Sequence, residues 1–408
     1  MLFNQTEFDA LVKPLLRVES VSPEDTVALI AFSHLCEPSD LLPNLLFEHV
    51  NPGALVEALI ARADAAQIQH LVGLDAITDI ADRLETDFAK LWGNATERWF
   101  PRLSKTAVVE SLTWMLQPTH TTQKSLVLQN ADDYPLRLSA LNYHQPFVFW
   151  GSGDIDLLGA RAMVGIVGTR QASRYGADAA RDLAAVAAMN GIVTVSGGAF
   201  GIDAIIHESA LALESPTVAL MAGGLANLYP ANNLQMLKNV EAQGLVLAEL
   251  PPAVTPAKWR FLMRNRLIAA LGQATVVVEA GRTSGALNTG RSAVAMDRPV
   301  AIVPGPMTSS RSVGCHDFLN AHLGQVQVLA RPQDLVGLLG IGVAGEFDLE
   351  TIGALEKRAL DAFTGRAIET WEIQRLAGLT VRETQIALGS LEILGLIERS
   401  GSRYVRVV

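Results

Sequence analysis

MVGIVGTRQASRYGADAARDLAAVAAMNGIVTVSGGAFGID, residues 163–203, is the stretch whose reading decides the fold. A short apolar run (163–167) enters a loop of Gly, Ser and Arg. A helical pattern follows over 177–188, then a second apolar run (192–195) and a second Gly-rich loop. Strand-length apolar runs joined by an amphipathic helix predict a βαβ unit in a parallel sheet. In such sheets ligands sit beyond the carboxyl ends of the strands, where both loops fall. Both loops therefore open onto one crevice.

The alternation continues outward. Apolar runs at 218–221, 246–249, 275–279, 300–303 and 326–329 alternate with helical patterns at 204–213, 234–242, 258–271, 286–295 and 333–338. Near-continuous apolar strands between amphipathic helices predict an α/β fold with a Rossmann-like, doubly wound parallel sheet over 119–339. Residues 119–150 form its lead-in and carry the aromatic strand FVFW. Residues 1–118 read as an all-helical N-terminal domain; Ser22-Pro23-Glu24-Asp25 is a helix start, with Pro in the first turn. Trp92, Trp99, Phe100 and Trp114 there read as packing residues. After a linker at 340–345, residues 346–408 read as helices followed by a hairpin, the pattern of a winged helix, with Thr380 capping its second helix.

Composition narrows the function classes. The 408 residues are 49% hydrophobic and 18% charged, which describes folded domains with little room for disorder. No apolar run approaches the roughly 18 residues of a membrane span, and the N-terminus lacks a secretory pattern, so no membrane segment and a cytoplasmic location are expected. Two cysteines, Cys36 and Cys315, suit a reducing compartment, and no His/Cys spacing fits a metal. The net charge of −10 argues against a nucleic-acid partner on average. The distribution reverses that argument: residues 255–311 hold eight basic residues against Glu279 and Asp297 alone. A local basic patch suits a phosphate-bearing ligand.

The first loop, 168–176, pairs close backbone approach with a helix N-terminus. Arg170 suits bidentate phosphate contact and Tyr175 suits base stacking; the bland alternative is an ordinary βα turn with a solvated Arg. The second loop, 196–203, repeats the logic one strand over, with Asp203 reading equally as a helix cap or a ligand. A third loop, EAGRTSG at 279–285, brings Ser284 and Gly285 to the same edge. At the start of the 258–271 helix, Arg264 and Arg266 flank Asn265. Their alternative reading is a solvated basic face with Trp259 and Phe261 in the core. No G-x-G-x-x-G follows the first strand, so this is not a dinucleotide site. GALNTGRS at 285–292 nearly matches a P-loop, but Arg291 stands where a Lys belongs, which sets ATP hydrolysis aside.

Several segments together resemble the DNA-processing protein A family (DprA, also called Smf): DDYPLRL (132–138), IVGTRQASRYG (166–176), SGGAFGIDAIIH (196–207) and AGGLANLYPANN (222–233). FLMRNRLIAAL (261–271), VVVEAGRTSGALNT (276–289), RPVAIVPG (298–305) and LEILGLIERSGSRYVR (391–406) continue in the family's order. The resemblance implies a Rossmann-like core that binds single-stranded DNA and delivers it to the RecA recombinase in natural transformation, as a homodimer. It implies neither catalysis nor a cofactor. Carried over residue by residue, the DNA pocket takes Arg170, Ser173, Tyr175, Ser196, Gly197 and Asp203 from the first two loops. It adds Tyr229 and Asn232, then Arg264, Asn265 and Arg266, then Ser284 and Gly285. The chain departs from the pattern at Phe200, where a basic residue is usual, and at His316, where Asn is usual. The rival expectation is a nucleotide-cleaving phosphoribohydrolase on a similar core. Its P-G-G-x-G-T motif and following Glu have no full match at 222–225 or 282–285.

Overall fold

The computed structural model describes residues 2–38, 40–118, 122–341, 353–363, 368–393, 396–400 and 403–406. The expected linker from residue 342 onward and the hairpin turn at 401–402 lie outside them. The chain divides into two compact units, Met1–Leu339 and Gly340–Val408.

The first unit is built on a nine-stranded sheet. Its strands are β1 (Lys124–Leu128), β2 (Val148–Gly153), β3 (Met163–Val167), β4 (Val193–Ser196), β5 (Thr217–Met221), β6 (Leu245–Ala248), β7 (Ala274–Val277), β8 (Val300–Ile302) and β9 (Val326–Val328). The spatial order is β1-β2-β6-β5-β4-β3-β7-β8-β9. From β6 to β9 every pairing is parallel, while β2 meets β6 and β1 antiparallel. The parallel strands β3 to β8 are buried along their length because helices cover both faces, which is why they read as apolar runs. The chain winds outward from β3 through β4, β5 and β6, then returns to place β7 on the other side of β3. That reversal is the topological switch point, and a crevice opens above the β3 and β7 carboxyl ends.

The period-two geometry of strands sorts side chains between two cores. Leu126, Leu128, Val148, Trp150, Val246 and Ala248 face the N-terminal helices and join one core with Phe32, Leu46 and Trp99. Val127, Phe149, Leu245 and Leu247 face the other way and join a second core with the helix Lys258–Leu271. Phe32 meets Phe47, Trp99 and Phe147 with ring centroids 5.1, 6.1 and 5.9 Å away. Each such ring buried contributes roughly 1.5–3 kcal/mol. The N-terminal helices are thus packed onto one face of the sheet and share its core.

In the second unit, helices Ala354–Asp361, Thr370–Ala377 and Val381–Ile393 accompany a three-stranded antiparallel sheet of Ile368–Glu369, Arg403–Arg406 and Ile397–Ser400. Thr380 caps the third helix: its Oγ1 accepts from the Glu383 N–H, while the Glu383 carboxylate accepts from the Thr380 N–H at 2.8 Å.

Candidate nucleic-acid interface

Two loops meet above the switch point. The first leaves β3 and ends at Ser173, whose Oγ accepts the Gly176 N–H at 3.0 Å and caps the helix Arg174–Met189. The second leaves β4 and enters the helix Ile202–Ala212. Its turn needs left-handed backbone at Gly198 (φ +65°) and Gly201 (φ +75°). Gly201 also lies against the first loop, where a Cβ would fall 2.3 Å from the Thr169 carbonyl oxygen. The Ile202 N–H donates to that same oxygen at 3.2 Å.

The loops border a groove of about 710 Å³, closed on its far side by the start of the helix Lys258–Leu271 and by the loop after β7. At its mouth the Arg170 guanidinium sits 5.4 Å from the centre of the Phe261 ring. Tyr229 meets that ring edge-on at 5.8 Å. Arg170 and Lys258 are exposed, and among the described residues neither is paired to an acid. Ser284 and Gly285 line the opposite wall. Free cations beside accessible aromatic faces are the two elements that take phosphate and bases respectively.

Of the expected site residues, Arg170, Asp203, Tyr229, Arg264, Asn265, Ser284 and Gly285 border this groove. Several of them serve it in ways the sequence reading does not anticipate. Arg264 is 5% exposed and donates to the carbonyls of Gly197, at 2.9 Å, and of Leu220. Burial pulls its pKa down to about 10, against the pull of Asp203 and with the push of Arg170. It is charged at neutral pH, but its donors are spent on the loop and the β5 end. Asp203 does not cap its helix, where Gly201 holds that position. The residue is 6% exposed, and its carboxylate accepts the Gly197 N–H at 3.1 Å. Burial raises its pKa, opposed by Arg264 and by the backbone N–H groups of Ala199, Gly197 and Gly168. Asn265 holds the Gly285 carbonyl at 3.2 Å.

The other expected residues lie away from the groove. Arg266 turns to Glu249, with contacts of 2.6 and 2.9 Å, and to the His144 carbonyl. Each helix position turns by about 100°, so Arg264 and Arg266, two positions apart, leave nearly opposite sides of the helix. Ser196 is fully buried and donates to the Ile166 carbonyl at 2.7 Å. Gly197 is buried under Arg264, where any Cβ would meet the guanidinium at 2.4 Å. Ser173 is a helix cap, Tyr175 donates its hydroxyl to the Pro304 carbonyl, and Asn232 is exposed outside the groove.

Two residues that do line the groove, Lys258 and Phe261, are missing from the expected set. The alternative that buries Trp259 and Phe261 fails as well: Trp259 is 44% exposed and Phe261 half-buried. A signal for them exists, since positions 258, 261, 262 and 265 recur at i, i+3, i+4 and i+7 and form one helix face. The basic patch of 255–311 is mostly consumed internally. Arg260 pairs with Glu37, Arg282 with Asp317, and Arg298 donates to the Gly272 and Arg137 carbonyls.

Comparison with known proteins matches this part of the chain. The family model of DNA recombination-mediator protein A covers residues 125–339, slightly more than half of the sequence. The putative DNA processing protein DprA of Mycobacterium tuberculosis is 42% identical over 271 residues, 64% of this chain and 69% of that protein. The DNA processing protein DprA of Bacillus subtilis is 36% identical over 178 residues, 44% of this chain and 60% of that protein. The X-ray structure of DprA from Streptococcus pneumoniae aligns with a TM-score of 0.57 at 26% identity, covering 78% of this chain and 98% of that one.

Proposed function

The chain belongs to the DNA recombination-mediator protein A family, and from that premise we propose that its groove binds single-stranded DNA. We further propose that it acts as a cytoplasmic homodimer that passes the strand to the RecA recombinase during natural transformation. The family is one of DNA-processing mediators and not of enzymes. Among the described residues no helix is long and apolar enough to cross a membrane.

The observation that carries the reading is the Arg170–Phe261–Tyr229 run at the groove mouth. Aromatic rings accept any base, and stacking is worth roughly 1–3 kcal/mol per base. Arg170 and Lys258 supply backbone contacts that carry no sequence preference. The floor beneath is rigid because Arg264 and Asp203 bind its backbone. Such a surface takes an unpaired strand, whereas the stacked bases of a duplex are closed to it.

Fluorescence anisotropy with labelled oligo-dT tests this. Arg170→Ala is expected to weaken binding about tenfold and to lower the slope of log K against log salt by about 0.7, one single-strand phosphate. Phe261→Ala is expected to weaken binding by roughly 1–3 kcal/mol with the salt slope unchanged. Parental affinity in both variants would remove the groove from consideration.

The second unit is proposed to be a winged helix that contacts protein. Its Val381–Ile393 helix exposes Val381 and Ile386 at 60% and 51%, and Glu383 there is committed to the Thr380 cap.

A further inference from the structure

Open α/β sheets that hold nucleotides place the phosphate against two sets of donors, the N–H groups of a Gly-rich loop and the N-terminus of the next helix. Both sets are present at this switch point, and each gives a donor to a carboxylate of the chain. Asp203 accepts the Gly197 N–H at 3.1 Å, and the backbone N–H groups of Gly168 and Ala199, from both loops, also favour its charged form. Glu279, 3% exposed, accepts the Ser173 N–H at 2.9 Å, at the N-terminus of the helix Arg174–Met189. Its Oε2 lies so close to the first turn that a Cβ on Gly176 would fall 2.6 Å from it. Arg264 lies beside Asp203 and compensates its charge. Among the described residues no cation pairs with Glu279.

We propose that Asp203 and Glu279 determine specificity by occupying, as built-in carboxylates, the places that a nucleotide's terminal phosphate would take. A free nucleotide or a strand end then finds its phosphate donors already satisfied and meets the negative charge of Glu279. An internal stretch of strand needs neither set of donors, because Arg170 and Lys258 meet its backbone at the groove mouth and Phe261 meets its bases. The inference rests on the single-strand reading for its ligand, but the exclusion of free phosphates is measurable without DNA.

Glu279→Ala clears the helix N-terminus, and Glu279→Gln removes only the charge while keeping an oxygen for the Ser173 N–H. Calorimetric titration with dTMP and with pyrophosphate is expected to show no binding to the parent at millimolar ligand. Glu279→Ala is expected to bind both at least about tenfold more tightly than the parent, as an unmasked helix N-terminus does for anions. Glu279→Gln shifts in the same direction and decides the matter if the alanine variant does not fold. A 5′-phosphate on oligo-dT is expected to leave parental affinity unchanged and to raise that of the variant. Tight binding of dTMP by the parent, or a folded variant that gains no affinity for either anion, overturns the proposal. Failure of the parent to bind oligo-dT sinks the single-strand reading instead, and the dTMP and pyrophosphate titrations still decide the proposal.

Discussion

Arg264 and Arg170 share a residue type and a groove, and their surroundings give them opposite tasks. Arg264 is buried, and its guanidinium ties the Gly197 carbonyl to the Leu220 carbonyl, 23 residues further along the chain. Arg264→Ala leaves both carbonyls and the Asp203 carboxylate without it in a dry setting. A loss of about 3 kcal/mol is expected in urea unfolding. Arg170 is exposed, and Arg170→Ala is expected to stay within about 0.5 kcal/mol of the parent in the same measurement. An Arg264→Ala midpoint equal to the parent's would show that the guanidinium does not brace the loop.

At the scale of elements, the groove exists because two βα loops touch. Gly201 combines a left-handed φ of +75° with a backbone on which a Cβ would fall 2.3 Å from the Thr169 oxygen. Gly201→Ala must therefore strain its own backbone, at about 1–3 kcal/mol, and also push the loops apart. Gly191 shares a positive φ of +63° but has nothing within 4 Å of its Cβ position. Gly191→Ala is expected to cost about 1 kcal/mol and to leave oligo-dT affinity intact, while Gly201→Ala loses affinity as well as stability. Equal affinities in the two variants would separate the groove from the loop contact. The helices 258–271 and 286–295 match the structure end to end. The helix Val313–Ala321 is not anticipated; it is only nine residues long and has Gly314 in its first turn.

The whole first unit depends on the seam between the N-terminal helices and the sheet. His34 lies in that seam, with its ring 5.9 Å from Trp150 of β2 and its Nε2 without a partner. Burial holds its pKa down to about 4, against 6.5 when unfolded. Below about pH 6.5 the unfolded chain takes up a proton that the folded chain refuses. Stability therefore falls as pH drops from 6.5 to about 4, by at most about 1.4 kcal/mol per unit for this group. His207, pulled down to about 3 by burial and by Arg264, adds slope of the same sign and extends it further. His34→Leu is expected to flatten the melting temperature against pH between 6.5 and 4 relative to the parent. Parallel curves would mean that the seam admits the imidazolium.

Local pattern was enough for the α/β class, the order of the parallel strands' βα units and the position of the crevice. Apolar periodicity and loop composition are properties of neighbours in sequence, and residues 163–203 display both. Which charged side chains face the crevice was decided only by the tertiary structure. Arg260 is spent on Glu37, 223 residues away, and Arg266 on Glu249, 17 away. Arg264 is spent on carbonyls 44 and 67 residues away. A guanidinium reads the same in sequence whether solvated or buried. Its fate is set by which distant carbonyls and carboxylates remove its water, and that left Arg170, Lys258 and Phe261 at the mouth of the groove.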